Sequence, residues 1–439
     1  MSTAFIAELS RRTGASDEGM TRGATALVPG APRPHVPLPS PRRAAREGEQ
    51  RMEAGQLLGR LLLQFDPNAE GVVEDLSAAV ISGDGKLWVA SDEGGMIERL
   101  TPTEARVYAE HRRFDMADFF GEVERGAEID IEALDMHADY LWVMGSHSAK
   151  RKRPKGKKME KDLERLATVA HEPQRFLLAR IPFVKGELTA QLKRANAKEP
   201  QLAVALVKPP EAEPASDAPE SSGPETPLPG ENFLMELLRR DAHFAPFLAR
   251  PDVQGGPLLP IPSKDNGLDI EGLVVTDTDR VFLGLRGPVL RGYAALLDMR
   301  LEHVGQGLME PTLSKGGSRY SKHFLNLDGL GIRELCVHGD DLLVLAGPTM
   351  PVEAPSRLFR LRNFLGLSGD NLLEQAPGVL EPLFDVPDLG KSGDHAEGMA
   401  NFSYFDENDS VLIVYDTPAP QRCYGPGGVL ADVFRLNGP

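Results

Sequence analysis

A short acidic motif recurs along this sequence and repeats carboxylates at one position. Its copies are EDLSAAV at 74–80, DIEALDM at 130–136, DIEGLVV at 269–275, GIRELCV at 331–337 and HAEGMAN at 395–401. At one equivalent position, the five copies carry Ser77, Glu132, Glu271, Arg333 and Glu397, of which three are carboxylates and one is a guanidinium. Converging carboxylates repel one another unless a cation, a proton or an arginine compensates them. Carboxylate oxygens suit Ca²⁺, Mg²⁺ or Mn²⁺. The motif therefore predicts either a divalent-cation site at Glu132, Glu271 and Glu397 or a structural ring of hydrogen-bonded side chains.

A second set of charged residues ends the apolar segments that follow the motif copies. These residues are Asp92, His147, Arg286 and Asp416. An arginine at such a strand end suits bidentate binding of a carboxylate or phosphate, or a salt bridge to a neighbouring acid. A histidine there suits a general base, a metal ligand or a hydrogen-bonding residue. The sequence thus predicts candidate catalytic residues at His147, Asp92 and Asp416. It predicts candidate ligand-binding residues at Arg286, Arg333, His395 and Asp269.

A strongly basic stretch, KRKRPKGKK at 150–158, closely follows His147. Charge runs of this kind are solvated loops or electrostatic attractors for anions. Nucleic acid is a weaker prediction, because no aromatic residue interleaves the bases and the whole chain carries a formal charge of −16. The predicted partners are a small anionic molecule or a protein.

The elements that must position these residues are short strands. Each motif copy is followed by a polar turn and a second apolar strand, as in SGDGK and then LWVASDE at 87–93. Five phase-locked strand–turn–strand copies are the signature of radial repetition, which buries faces and edges that a single unit would expose. The sequence predicts an all-β propeller with five blades favoured and six as the alternative. The strand LLGRLLLQFD at 57–66 would supply the missing outer strand of the last unit and close the ring.

Composition shifts divide the chain further. Residues 1–52 are predicted to be a disordered proline- and arginine-rich arm, and residues 53–439 a single propeller domain. Two insertions interrupt that domain: a basic loop and helix at 149–172, and an acidic proline-rich loop and helix at 195–262. The segment after the acidic loop has leucines at helical spacing, and Pro246 is expected to stop its first helical segment.

Composition also excludes several classes of protein. Two cysteines in 439 residues rule out a disulfide framework. No apolar run approaches the ~18 residues of a membrane span, and the N-terminus lacks the pattern of a secretory signal. The sequence therefore predicts a soluble cytoplasmic protein without membrane contact. It contains none of the common nucleotide-binding, serine-hydrolase or zinc-protease motifs.

Three stretches carry a resemblance to a known family. NGLDIEGL at 266–273, FLGLRGPVLRGYA at 282–294 and GSHSAKRKRPK at 145–155 resemble the bacterial family called domain of unknown function 3616, with similarity from about residue 57 onward. That family implies no established activity. The repeated Asp-Ile-Glu-Gly-Leu unit is also similar, more distantly, to esterase-like phytase propellers.

Two functional hypotheses follow from these observations. The first is a charged central-channel site that binds a small anionic ligand, with a divalent cation such as Ca²⁺ or Mg²⁺ assisting ester or phosphoester hydrolysis. The second is a non-catalytic propeller that binds a protein partner through its loops. The residues alone leave open whether the protein is an enzyme.

Overall fold

The described part of the chain is mostly β. A computed structural model describes residues 52–69, 71–193, 201–206, 230–248, 260–277, 280–305, 307–314, 316–352, 354–389, 393–405 and 407–436. The predicted arm, except for its last residue, and the acidic loop at 209–229 lie outside the described residues.

The strands follow one another in short segments along the chain. The strands before the second insertion are β1 (Leu57–Gln64), β2 (Leu76–Ile81), β3 (Leu87–Ser91), β4 (Met96–Glu104), β5 (Val107–Asp115), β6 (Ile131–His137), β7 (Tyr140–Gly145), β8 (Lys150–Arg151), β9 (Val169–Ala170), β10 (Leu178–Val184), β11 (Glu187–Leu188) and β12 (Gln191–Leu192). Two short strands follow, β13 (Gln201–Leu202) and β14 (Val204–Leu206). The remaining strands are β15 (Asp269–Thr276), β16 (Arg280–Gly287), β17 (Tyr293–Gly305), β18 (Leu308–Pro311), β19 (Tyr320–Asn326), β20 (Gly331–His338), β21 (Asp341–Gly347), β22 (Arg357–Leu361), β23 (Asn371–Leu373), β24 (Leu380–Asp385), β25 (His395–Asn401), β26 (Ser410–Asp416) and β27 (Gly428–Arg435).

The helices are few and lie mainly in the two insertions. They are α1 (Met159–Ala167), α2 (Phe233–Arg239) and α3 (Ala245–Leu248), with short 3₁₀ helices at Met116–Asp118, Pro173–Arg175, Ser263–Asp265 and Phe364–Gly366. The prediction that Pro246 stops the first helical segment is wrong, because α2 already ends at Arg239 and Pro246 lies in the first turn of α3. Proline is tolerated in a first turn, where its missing N–H has no intrahelical partner. Among the described helices, none combines the length and the apolar composition that a bilayer crossing requires.

Five units of four strands account for most of the described strands. Unit 1 is β2–β3–β4–β5, unit 2 is β6–β7–β10–β14, unit 3 is β15–β16–β17–β19 and unit 4 is β20–β21–β22–β24. Unit 5 is β25–β26–β27–β1, since β1 pairs antiparallel with β27 from Leu57–Phe434 to Gln64–Gly428. The N-terminal strand is therefore the outermost strand of the C-terminal unit. Each predicted motif copy begins the first strand of one unit.

Neighbouring units are held together by apolar cores. One core lies between each of the unit pairs 1 and 2, 2 and 3, 3 and 4, 4 and 5, and 5 and 1. The first strands also lie side by side: β2 contacts β6 and β25, β15 contacts β6 and β20, and β20 contacts β25. Alternating strand residues therefore bury one side of each sheet against one neighbour and the other side against the next.

Every first strand carries a β-bulge at the same motif position. The pairing with the second strand skips one residue in each unit, and the skipped residues are Ser77, Glu132, Glu271, Arg333 and Glu397. A bulge leaves its extra residue out of the ladder and re-aims that side chain. The backbone thus separates these five side chains from the alternating apolar pattern of the strands.

A buried ion network links β1 to the last strands of the chain. Arg422 is fully buried and pairs with Asp394, with 3.0 Å between Nη2 and Oδ2, and with Asp432, with 2.9 Å between Nη1 and Oδ2. Its guanidinium stacks on the ring of Tyr415, whose hydroxyl donates to Asp432 over 2.9 Å. Asp432 also accepts from Nε of Arg60 on β1 over 2.8 Å. One carboxylate therefore joins strands from both ends of the described chain.

We predict that Asp432→Asn lowers the free energy of unfolding by about 3 kcal/mol, because it leaves the buried Arg422 charge only partly compensated. Urea denaturation measures the change. The control is Asp118→Asn, which breaks an exposed 2.5 Å pair with Arg125 and should cost less than about 1 kcal/mol. Equal effects of the two substitutions would contradict a special role of Asp432.

Candidate functional site

The bulged side chains of units 3, 4 and 5 form one buried ionic network. Nη1 of Arg286 donates to Oε1 of Glu271 over 2.7 Å and to Oδ2 of Asp269 over 3.2 Å. Nη1 of Arg333 donates to Glu397 and lies 3.3 Å from Oε2 of Glu271. Glu271 therefore lies between two guanidinium groups. Arg286 therefore forms salt bridges to neighbouring acids, which is the alternative to anion binding that the sequence left open. In both arginines, Nη1 is already paired and is not free for an external anion.

A third arginine lies beside the network, in the 3₁₀ helix Pro173–Arg175 that follows the first insertion. Arg175 is 3% exposed, and its Nη1 lies 2.5 Å from Oδ2 of Asp130 and 3.2 Å from Oγ of Ser148. It also pairs with Glu128 and, over 2.6 Å, with Oε2 of Glu172. Sequence reasoning missed this residue, since no repeat copy contains it. Asp130 was missed although it opens the motif copy DIEALDM, which was the available signal.

Some carboxylate oxygens of the network have no partner. Glu132 is 7% exposed, and no residue within the described ranges hydrogen-bonds its carboxylate. Oδ1 of Asp269 and Oδ1 of Asp92 are fully buried and have no hydrogen-bond partner in the described part of the chain. Glu132 belongs to two trios, one with Asp92 and Asp130 and one with Asp269 and Glu271, whose oxygen atoms lie within 4.8 Å of one another. Glu132 is thus the residue that the two trios share.

Acids outnumber bases in this centre. Its carboxylates are Asp92, Asp130, Glu132, Asp269, Glu271 and Glu397, and its guanidiniums are Arg175, Arg286 and Arg333. Six negative charges against three positive charges leave a formal charge of −3 when all groups are ionised. Such an excess is unfavourable in a buried site without a cation or bound protons.

The pKa values of the carboxyl groups reflect this excess. Burial raises the pKa of Glu132 well above its usual range, and the nearby charges of Glu271 and Asp130 add to the effect. Burial, followed by the charge of Glu271, raises the pKa of Asp269 to about 7. Burial, followed by the charges of Asp416 and Asp130, raises the pKa of Asp92 to about 8. In the absence of a cation, the centre therefore holds protons at neutral pH.

More solvent-accessible groups adjoin the centre through Asp92. Asp75 and Asp416 form a β-bridge between units 1 and 5, and the side chain of Asp416 accepts from Oγ1 of Thr417 over 2.9 Å. Burial and the charge of Asp416 raise the pKa of Asp75 to about 6. His395 is exposed and lies opposite Asp416 in the β25–β26 pair. The structure therefore brings the predicted residues Asp92, Asp416 and His395 to one end of the first strands.

His147 takes a different role from the predicted general base. It is buried, its Nδ1 lies 2.8 Å from the carbonyl oxygen of Gly145, and its Nε2 lies 2.7 Å from Nδ2 of Asn232. Because the amide of Asn232 is a donor, Nε2 accepts and Nδ1 carries the proton. Burial lowers the pKa of His147 to about 4. Neither nitrogen is left to accept a substrate proton.

Asn232 is a second residue that sequence reasoning missed. Its Oδ1 accepts from the backbone N–H of Leu234 over 3.1 Å and so caps α2, while its amide contacts His147. An Asn directly before the helical run FLMELLR was a readable N-cap signal, but its histidine partner 85 positions away was not. The pair fastens the second insertion to the end of β7.

The fold and the site define a mostly-β protein of four-stranded units with a buried carboxylate–arginine centre. The chain belongs to the family described as protein of unknown function, DUF3616, whose sequence pattern matches residues 75–432. No curated protein matches the chain. The more distant resemblance to esterase-like phytase propellers stays a prediction.

Several solved structures resemble the fold at low sequence identity. A virginiamycin B lyase from Staphylococcus aureus is 9% identical, with 86% of this chain and 99% of that chain covered and a TM-score of 0.34. A PQQ-bound aldose sugar dehydrogenase from Streptomyces coelicolor is 12% identical, with 87% and 99% covered and a TM-score of 0.35. At these values, function has to be inferred from the residues of this chain.

We predict that the cation-free protein loses stability as pH rises from about 4 to about 8. An aspartate in the unfolded chain has a pKa of about 3.9, whereas Asp75, Asp269 and Asp92 keep protons in the folded state up to about pH 6, 7 and 8. The unfolded state then binds fewer protons than the folded state, so the free energy of unfolding falls across this window.

Asp92→Asn should remove the part of this decline nearest pH 8, because the amide has no proton to lose. Urea denaturation in EDTA between pH 5 and pH 9 measures the slope. The exposed substitution Asp118→Asn serves as the control and should leave the slope unchanged. A wild-type protein whose stability rises with pH through this window would show that the centre is already charge-balanced.

Proposed function

We propose that the five units form a five-bladed β-propeller closed by the N-terminal strand. The five apolar cores between successive units and the side-by-side first strands support this arrangement. The described residues between 150 and 262 hold β10 and β14 of unit 2, two-residue ladders and helices, which argues against a sixth blade. A crystal structure in which the first strands do not surround one axis would overturn the proposal.

We further propose that the centre binds a divalent cation at Glu132 and, through that cation, a small anionic ligand. The observation that carries the proposal is the position of Glu132: its carboxylate has no hydrogen-bond partner in the described chain, and it belongs to both carboxylate trios, beside the buried, unpartnered Oδ1 atoms of Asp92 and Asp269. A carboxylate is buried without a partner at high cost unless it is protonated or binds a cation. All the available ligands are oxygens, which suits Ca²⁺ or Mg²⁺.

The arginines act in this proposal as counter-ions rather than as anion clamps. Arg286 and Arg333 hold Glu271 and Glu397, so these acids contribute less to cation binding than the sequence predicted. Asp92 and Asp269 offer unpartnered oxygens instead. The proposed cation ligands are therefore Glu132 with Asp92 and Asp130 in one trio, or Glu132 with Asp269 in the other.

A cation in this centre would hold the anion and support ester or phosphoester hydrolysis. A bound divalent cation polarises an ester or phosphoryl oxygen. His147 does not fit the role of general base, because both of its ring nitrogens are hydrogen-bonded within the protein. The least buried member of the centre is Asp92, so a substrate would reach the cation on its side. Asp416 and His395 line the approach to it.

The alternative function is a non-catalytic interaction propeller. The contacts of Arg333 favour this alternative, because a guanidinium that pairs with Glu271 of unit 3 and Glu397 of unit 5 holds neighbouring units together without any ligand. Arg286 pairs with Glu271 within unit 3. In that case, the surplus carboxylates are protonated structural groups, and the insertions carry the binding function.

We predict opposite effects of two glutamine substitutions. Glu132→Gln should reduce Ca²⁺ or Mg²⁺ affinity at least about tenfold while leaving the cation-free protein as stable as wild type or more stable, because a neutral amide replaces a carboxyl group whose ionisation no partner in the described chain compensates. Glu271→Gln should lower the free energy of unfolding by about 3 kcal/mol, because it disturbs two buried ion pairs.

Isothermal titration calorimetry and urea denaturation on the same EDTA-treated samples separate the two effects. Cation-loaded wild type is then titrated with a phosphomonoester and a carboxylate and is assayed against ester and phosphoester substrates. Anion binding that disappears with EDTA or in Glu132→Gln would support the proposal. A wild type that binds neither cation would end it and favour the interaction propeller.

A further inference from the structure

The first insertion presents an exposed surface that takes no part in the buried carboxylate–arginine centre. We call residues 150–170 the basic hairpin; it comprises β8, the loop 152–158, α1 and β9. Its two strands pair antiparallel, with Lys150 opposite Ala170 and Arg151 opposite Val169. The hairpin is therefore an ordered projection, whereas the sequence predicted only a basic loop followed by a helix.

The base of the hairpin is fastened beside the carboxylate centre. Nζ of Lys150 lies 2.7 Å from Oε1 of Glu128, which also pairs with Arg175, the partner of Asp130. Arg151 reaches Asp265, just before β15, over 2.7 Å. The hairpin thus lies at the end of units 2 and 3 where the motif aspartates begin the first strands.

The polar side of α1 packs on the hairpin's own loop. Oδ1 of Asp162 accepts from the backbone N–H of Lys155 over 2.8 Å, and Nε of Arg165 donates to the carbonyl oxygen of Arg153 over 2.6 Å. Arg151 donates to the carbonyl oxygen of Leu166 near the end of the helix. These contacts fix the rotation of α1 relative to the loop.

The apolar side of α1 faces outward as a consequence. Met159, Leu163 and Leu166 follow one another at spacings of four and three residues, which places them on one helix face. Their exposed fractions are 77%, 60% and 44%, and none belongs to the core clusters of the described chain. An ordered helix with its apolar face in solvent marks an interaction surface.

Unpaired bases surround that apolar face. Segment 150–167 contains nine bases and three acids, a formal charge of +6 within a chain of −16. Six of the bases are exposed and have no carboxylate partner within the described ranges: Lys152, Arg153, Lys155, Lys157, Lys158 and Lys161. Apolar side chains next to clustered lysines can bind a partner whose outer layer is anionic and whose interior is apolar.

We propose that the basic hairpin docks this protein on an anionic phospholipid surface. A bilayer takes up protruding apolar side chains without a matching groove, while its headgroups attract the surrounding bases. Double-stranded nucleic acid would use the bases but would leave the apolar face exposed. The sequence predicted no membrane contact, because three apolar residues in nine are far from a membrane span; only their shared outward orientation indicates surface binding.

The charge of the rest of the chain would orient the molecule. Outside segment 150–167, the formal charge is −22, the difference between −16 and +6. An anionic membrane repels that remainder and attracts the hairpin, and this asymmetry acts within about a Debye length. The hairpin would approach first, with the motif aspartates of units 2 and 3 on the same side.

Vesicle co-sedimentation of the full chain tests the proposal. EDTA is present throughout, so the outcome does not depend on the cation site. We expect binding to vesicles of phosphatidylcholine with 30% phosphatidylserine, no binding to pure phosphatidylcholine, and a loss of at least about tenfold in affinity between 50 and 500 mM salt.

Two variants separate the contributions to binding. Leu163→Ser with Leu166→Ser should lower vesicle affinity roughly tenfold or more by removing inserted apolar area. Replacing Lys152, Arg153, Lys155, Lys157 and Lys158 with Ser should abolish the preference for phosphatidylserine. Leu372→Ser, at an exposed leucine on β23, is the matched control and should bind like wild type. Thermal melting of each variant verifies folding.

Three results would overturn the proposal. The first is equal binding to charged and neutral vesicles, and the second is serine-vesicle binding that the two leucine substitutions leave unchanged. The third is binding to a DNA duplex or to polyglutamate without binding to vesicles, which would assign the hairpin to a polyanionic partner instead.

Discussion

The balance of charge around five bulged residues governs the rest of this structure. Each first strand displaces one residue from its ladder, and in four of five units that residue is charged. Because the first strands lie side by side, the displaced charges meet in a buried region. Each charge there must find a counter-charge, a proton or a ligand. In the first unit the residue is Ser77, whose hydroxyl donates to the backbone of Ile131 over 2.5 Å instead.

The arginines satisfy this requirement unevenly. Units 3, 4 and 5 are compensated by Arg286 and Arg333, so their acids serve mainly to join the units. Units 1 and 2 have only Arg175, which Asp130 shares with two surface acids, and Glu132 remains without a partner in the described chain. The bulged residues of units 3, 4 and 5 are thus largely charge-compensated, and the cation proposal concerns the uncompensated side of units 1 and 2 alone.

Sequence periodicity predicted much of the architecture because strand pairing is local. The strand–turn–strand copies correspond to antiparallel pairs such as Ile81 opposite Leu87, with Gly85 in the turn at a φ of 80°. The carboxylates of the centre were also readable from the motif. Their roles were harder to predict, since identical motif positions differ in their partners. Glu271 pairs with Arg286 of its own unit and Arg333 of the next, whereas Glu132 has no partner in the described chain.

By itself, the sequence determined the repeated strands, the motif that bulges in each first strand and the acidic character of the centre. These features depend on residue types within a few positions of one another, so they can be read from the sequence before the fold is known. Only the tertiary structure decided that Asp130 pairs with Arg175, 45 positions away, and that Nε2 of His147 accepts a hydrogen bond from Asn232. It also decided that the apolar face of α1 points outward. Charge compensation and burial depend on which residues lie close together in space. Those residues are far apart along the chain, so a local sequence pattern does not reveal them.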